Sequence, residues 1–259
     1  MTAALVAGNA ALVAGLMTAL WLVSVFRRDA SIVDPWWSIA FLLVTGRTVI
    51  ATGFTPAKAL LLAMVALWAL RLWAHLLWRS RGKSEDPRYA AFRQRYGPTR
   101  YWWISFFQVF LLQGVLVVFI SAPLQLAASA SGPVGPAQVA GLILFAVGFV
   151  VEAIADRQLQ TFRDDPGLRG QVLATGLWRL SRHPNYFGEA VLWWGFGCMA
   201  LAQPYGWACL LGPGAMTFLL LRVSGVVMLD AHLAATKPAY RSYIERTSAF
   251  VPWPPRAMR

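Results

Sequence analysis

The chain has 259 residues, 58% hydrophobic and only 13% charged, with a formal net charge of +12. A soluble domain carries about a quarter charged residues, so an ordinary soluble class is excluded and lipid is the solvent that this composition fits. Two cysteines, Cys198 and Cys209, sit in apolar stretches; they give neither a disulfide framework nor metal-ligand spacing, and no metal is expected.

A bilayer-spanning helix needs about 20 mostly apolar residues. In chain order, the stretches 3–26, 31–53, 57–78, 103–126, 135–156, 185–204 and 206–231 qualify. The first is too long for a signal-peptide core and no small-residue cleavage site follows it, so it is expected to be retained. Asp29, Thr55-Pro56, the Gly132-Pro133 to Gly135-Pro136 cluster and Gln203-Pro204 punctuate the runs. The expected fold class is all-α: one polytopic membrane domain, 1–259, of about seven transmembrane helices.

The basic residues orient it. Arg27 and Arg28 fall in the first loop, and Arg79, Arg81, Lys83, Arg88, Arg93, Arg95 and Arg100 between the third and fourth spans. Arg157, Arg163, Arg169, Arg179 and Arg182 follow the fifth, and Lys237, Arg241, Arg246, Arg256 and Arg259 the last. All lie on one side, whereas the opposite loops carry only Lys58. Positive-inside asymmetry then predicts an outer N-terminus and a cytoplasmic C-terminus. The positive charge reflects topology and anionic lipid heads rather than nucleic acid.

Arg47, Arg71 and Arg222, with Asp34, His75, Glu152, Asp156, Glu189 and Asp230, fall within spans or at their ends. Ionisable groups are expensive in lipid and usually face an interior cavity; for His75, Asp156 and Asp230 snorkelling or capping is the plainer alternative. No internal repeat is evident, so a repeat-built transporter lacks its usual hint.

Two cytoplasmic segments stand out, Arg79–Tyr89 and Asp156–Glu189. Their arginines suit a polyanion such as a nucleotide's phosphates. Pro184 suits a first helical turn, which leaves the N–H groups of Asn185 and Tyr186 free to meet an anion. Asn185 and Glu189, four apart, share a face suited to a carboxamide or ribose. The bland alternative is that the arginines meet lipid phosphates and Asn185 caps the helix. GxGxxG, P-loop, HExxH and Ser-His-Asp patterns are missing, so a nucleotide site would be built among membrane helices.

Ser181-Arg-His-Pro-Asn-Tyr-Phe-Gly-Glu189, running into Trp193-Trp194-Gly195, resembles the signature of the bacterial steroid 5α-reductase-like membrane proteins, the DUF1295 family. Similar stretches are Gly82–Tyr89, Phe107–Gly114, and Tyr240 with Arg246–Pro255, so the resemblance runs over roughly residues 30 to 256. It implies a reductase with NADPH among the C-terminal helices (about 131–259) and a lipophilic substrate, a steroid or other enone lipid, entering from lipid among the N-terminal ones (about 1–130). Cofactor contacts carried over on matching positions are Asp156, Leu159, Arg163, Asn185, Glu189 and Trp193, with Arg81, Lys83 and Arg222 as further phosphate positions. Glu152 stands where the eukaryotic enzymes carry asparagine, and Gly170 and Gln171 where they carry an aromatic residue and an arginine.

The implied reaction is conjugate reduction: hydride goes to an enone's β-carbon while an acid group polarises the carbonyl. The eukaryotic enzymes use a glutamate on the second span and a tyrosine on the third. Here the second span offers Asp34 and the third has no tyrosine, so Trp68, Arg71 and His75 on one helical face, with His75 or Arg71 assisting, are the local candidates. The expected catalytic residues are Asp34 and His75, with burial keeping Asp34 a proton donor. Trp36, Trp37, Trp102 and Trp103 are expected as interfacial anchors, and one of Trp193 and Trp194 as a lining residue. A second reading is an S-adenosylmethionine-dependent methyltransferase, because isoprenylcysteine carboxyl methyltransferases share an Arg-His-Pro-x-Tyr segment with a later glutamate. A third is a non-enzymatic lipid-binding protein. No protein partner is readable, and the expected location is a multi-pass integral membrane protein (the inner membrane in a bacterium) with its cofactor side cytoplasmic.

Overall fold

A computed structural model describes residues 2–223 and 225–256. Ser224, inside the last expected span, and Arg259, one of the tail's basic residues, lie outside the described residues. The described residues are helical throughout, apart from short connections and one isolated bridge between Ser181 and Ser248.

The helices are α1 (Ala3–Arg27), α2 (Val33–Thr52), α3 (Pro56–Ser80), α4 (Pro87–Tyr96), α5 (Pro98–Ile120), α6 (Ala122–Ala128), α7 (Pro136–Asp164), α8 (Pro184–Ala200), α9 (Gly206–Thr236) and α10 (Pro238–Arg246). Five of them, α1, α3, α5, α7 and α9, are long and apolar enough to cross a membrane. Large apolar side chains such as Leu22, Leu67, Val115, Ile143 and Val150 stand exposed on their outer faces, as lipid-facing surfaces require. Proline opens α3, α4, α5, α7, α8 and α10, where its missing N–H costs no hydrogen bond. Thr55 Oγ1 caps α3 by accepting from Lys58 N at 3.3 Å. Lys58 is itself buried, and its Nζ donates to Thr52 O, Thr52 Oγ1 and Gly53 O at 2.9–3.0 Å, closing the carbonyl end of α2.

The stretch expected as one loop between the third and fourth spans holds its own helix, α4. Asp86 caps α4, accepting from Arg88 N at 3.0 Å, and the fourth span then begins at Pro98, ahead of the expected 103. The expected end at 126 is also revised, because a break at Ser121 separates α5 from the short α6.

The chain forms two compact units, one ending at Val134 and one beginning at Gly135. In the first, α2 packs on α1, α3 and α6 around Phe41, Val44, Val65 and Trp68. In the second, α7 and α8 make the most intimate contact, and it rests on glycine. A Cβ on Gly148 would lie 2.4 Å from Leu192 N and 2.5 Å from Gly188 O; one on Gly141 would lie 2.6 Å from Gly195 O. Gly141 faces Gly195 and Gly148 faces Gly188, so the helices run antiparallel with their backbones touching.

Candidate functional site

In the first unit the chemistry gathers at the start of α2. Asp34 lies in its first turn; Oδ2 accepts from Arg88 Nη2 at 2.7 Å and Oδ1 accepts from Tyr89 Oη at 2.6 Å. Gln113 Nε2 donates to the same phenol oxygen at 3.2 Å. Gln113 follows a π-helical stretch, Phe106–Leu111, which shifts the register of α5 beyond it. Burial, then the charge and hydrogen bond of Asp34, pushes the Tyr89 phenol well above its ordinary range. Tyr89 therefore stays protonated at physiological pH.

Two ion-paired loops hold this cluster. Arg88 Nε donates to Asp86 Oδ1 at 2.9 Å. Burial raises the Asp86 carboxyl, but the hydrogen bonds and charge of Arg88 prevail and hold it below the usual carboxylate range. Glu85 accepts both Arg93 Nε and Nη2 at 2.8 Å and also the backbone N–H of Ala30 at 2.7 Å, fastening the turn before α4 to the turn before α2. Asp34 thus pairs with Arg88. His75 is half-buried on α3 and Trp68 is fully buried against Phe41, ring centroids 5.8 Å apart. Arg81 and Lys83 lie exposed in the turn after α3.

In the second unit, the end of the α7–α8 pair beyond Gly148 and Gly188 brings Asp156 to Asn185, whose Nδ2 donates to Asp156 Oδ1 at 3.2 Å. Asn185 Oδ1 is buried and accepts no hydrogen bond. One turn on, buried Glu189 accepts from Trp193 Nε1 at 2.9 Å, and the fully buried indole packs edge-on to Phe196. Trp194 is 39% exposed and donates to Thr217 Oγ1 at 3.2 Å, so Trp193 is the inward member of the pair. Asp156, Leu159 and Arg163 follow at three- and four-residue steps along one face of α7. Arg222 is exposed on a π-helical turn, Leu219–Val223, of α9. Asn185 does not cap α8; His183 holds the cap position without a side-chain bond.

Ser181-Arg-His is used differently from a polyanion-binding segment. Arg182 donates Nε and Nη2 to Asp230 Oδ2 at 3.2 and 2.7 Å, and Nη1 to Ile244 O and Thr247 O at 2.9 and 2.7 Å. His183 Nε2 lies 3.0 Å from Asp230 Oδ1, which also accepts Tyr240 Oη at 2.6 Å. Burial, then the Asp230 bond, pushes the Tyr240 phenol far up. Arg182 N donates to Ser248 O at 2.8 Å, Ser181 Oγ to Phe250 O at 2.7 Å, and Trp253 N to Leu180 O at 2.9 Å. The motif therefore clasps α9, α10 and the segment after α10 to the entry of α8.

Sequence reasoning missed Arg88 and Tyr89 as partners of Asp34, and Gln113 as the donor to Tyr89. The signal for the first two was Asp86-Pro87, a cap and first-turn proline that make the next residues helical and able to bury one face.

A family model described as "Protein of unknown function (DUF1295)" matches residues 20–247. An uncharacterised protein of Schizosaccharomyces pombe is 26% identical over 264 residues, which covers 90% of this chain and 75% of that protein. The protein named "Probable O-methyltransferase ustE" of Ustilaginoidea virens is 34% identical over 73 residues, 27% of this chain and 26% of its own length. No solved structure matches the chain.

Proposed function

This chain belongs to the DUF1295 family, and we propose from that premise that it is an NADPH-dependent membrane reductase acting on the conjugated double bond of a lipophilic enone, such as a 3-oxo-4-ene steroid. The observation that carries this reading is the 2.6 Å contact of Tyr89 with Asp34, braced by Gln113. It supplies a neutral phenol, the group whose counterpart the third span lacks, beside the acid of the second.

The residues fit a nicotinamide cofactor. The buried, unpartnered Asn185 Oδ1 suits a carboxamide N–H or a ribose hydroxyl, and Asp156, Leu159, Glu189 and Trp193 would hold that end of the molecule. Arg163 and Arg222 are the candidate phosphate contacts of this unit, and Arg81 and Lys83 are those that the family resemblance adds. Bound NADPH supplies the hydride. On substrate binding the single O–H of Tyr89 turns from Asp34 to the substrate's carbonyl oxygen and delivers its proton as charge develops there, while Gln113 keeps donating to the phenol oxygen. Asp34 thus holds the phenol's proton until the substrate's carbonyl oxygen replaces it as acceptor; His75 is the remaining candidate acid.

Seven spans, with α2 and α8 crossing beside the five apolar helices, an outer N-terminus and a cytoplasmic C-terminus complete the proposal. The basic side of the sequence then faces the cytoplasm (inside the inner membrane, in a bacterium), where NADPH is available.

A second reading is an S-adenosylmethionine-dependent methyltransferase, favoured by the 73-residue likeness to ustE. Heating the detergent-purified protein with NADPH, NADH or S-adenosylmethionine separates the readings, since a ligand of the folded state raises Tm. A shift with NADPH that Asn185→Ala abolishes supports the reductase. A shift with S-adenosylmethionine alone replaces it, and no shift with any of the three leaves a non-enzymatic lipid-binding protein.

A further inference from the structure

At the opposite end of α2 from Asp34, the first unit holds a second polar device. Asn9 on α1 is fully buried, and its Nδ2 donates to Thr48 Oγ1 and Gln125 Oε1, both at 2.9 Å. Gln125 is itself fixed by donating to Ser121 Oγ at 2.9 Å. With both amide hydrogens spent, Asn9 turns its oxygen outward, where it accepts from Arg47 Nη1 at 2.8 Å; the same nitrogen reaches Leu5 O at 3.3 Å. Ser121, Gln125, Thr48 and Asn9 are all buried, so four buried polar side chains are committed to aiming one guanidinium.

That guanidinium has no anion. Its partners are an amide oxygen and a backbone carbonyl, and among the described residues no carboxylate pairs with it. The adjoining helices α1 and α6 contain no Asp or Glu, and the acid of α2, Asp34, is roughly 20 Å away along the helix. Nε and Nη2 are left to donate elsewhere. Nη2 lies over Gly8, where a Cβ would come within 2.1 Å of it, so the absent side chain is what gives the guanidinium room. Gly8 near the start of α1 and Arg47 near the end of α2 stand about 8 Å inside their helix ends, at the margin of the hydrocarbon, from where a long arginine side chain reaches toward the lipid phosphates.

We propose that Arg47, aimed by Asn9 and seated over Gly8, binds the phosphate of an anionic phospholipid in the leaflet at the N-terminal end of α1. A guanidinium left with two donor nitrogens matches phosphate oxygens in geometry as well as charge. The site is independent of the Asp34 cluster and of any cofactor.

Native mass spectrometry of the full chain in detergent, titrated with phosphatidylglycerol or phosphatidylcholine, tests it. Phosphatidylglycerol should bind the wild type at least ten-fold more tightly than it binds Arg47→Gln, with Arg47→Lys intermediate and phosphatidylcholine weak on all three. Gly8→Ala keeps the charge but displaces the guanidinium, so it should also weaken phosphatidylglycerol and stands in should Arg47→Gln fail to fold. Equal phosphatidylglycerol affinity in wild type and Gly8→Ala, or in wild type and Arg47→Gln, overturns the proposal. An Arg47-dependent rise in Tm with inorganic phosphate, with no preference for phosphatidylglycerol, overturns the lipid assignment in favour of a free anion.

Discussion

Tyr89 hydrogen-bonds Asp34 although the two are 55 residues apart in sequence, and it does so from a short helix outside the long apolar spans. Removing its hydroxyl should leave the helix intact, because the ring stays buried. Tyr89→Phe is therefore expected to lower single-turnover NADPH oxidation with an accepted enone by about 100-fold or more, the usual range for a lost general acid. The NADPH-induced Tm shift should be unchanged; full activity in Tyr89→Phe would remove the phenol from the reaction. The raised Tyr89 pKa also fixes a pH expectation. The phenol remains a donor from neutral pH to beyond about 10, so no loss of rate below that pH is assigned to its ionisation. Asp34 was legible in the sequence as a costly acid at the start of an apolar run. Its partner was not, because a stretch rich in Arg and Lys reads as solvated until Asp86-Pro87 is recognised as a helix start that folds Tyr89 inward.

At the scale of elements, the α7–α8 pair depends on glycines spaced seven apart on each helix, Gly141 and Gly148 against Gly188 and Gly195. A methyl at Gly148 or Gly188 meets backbone, which cannot move aside as a side-chain tip can. Gly148→Ala and Gly188→Ala should each cost about 1–3 kcal/mol, read as a lower Tm, whereas Gly15→Ala, with open space around it, should cost far less. The spacing was visible in the sequence. What it could not reveal was which helix the glycines face, and that contact brings Asn185 to Asp156. The loop carrying α4 has a different sensitivity, being fastened by ion pairs. The depressed Asp86 carboxyl contributes stability that is complete above its unfolded value of about 4 and fades as pH falls through its lower folded value. Hydrogen-exchange protection factors across 85–97, referred to the intrinsic exchange rate at each pH, should therefore fall on acidification, and Asp86→Asn should show the lower protection already at neutral pH.

At the scale of the whole molecule, the apolar runs carried the all-helical membrane class, because lipid imposes them on the sequence directly. Span ends were less legible: the break at Ser121 and the extra helix α4 are marked by local signals, Pro123 and the Asp86-Pro87 cap, that hydropathy does not register. The proposed seven-span orientation predicts that a cysteine placed at Gly53 is labelled by an impermeant thiol reagent from outside intact cells, and one at Lys83 only after permeabilisation; the reverse pattern inverts the topology. The clasp built on Arg182 carries a consequence for biosynthesis. Its guanidinium is satisfied by Asp230, Ile244 and Thr247, and Thr247 lies 65 residues downstream of it. At a synthesis rate of about 5–20 residues per second, a nascent chain waits roughly 3–13 seconds with Arg182 unanswered at the entry of α8. The clasp can therefore close in full only after residue 247 has been made.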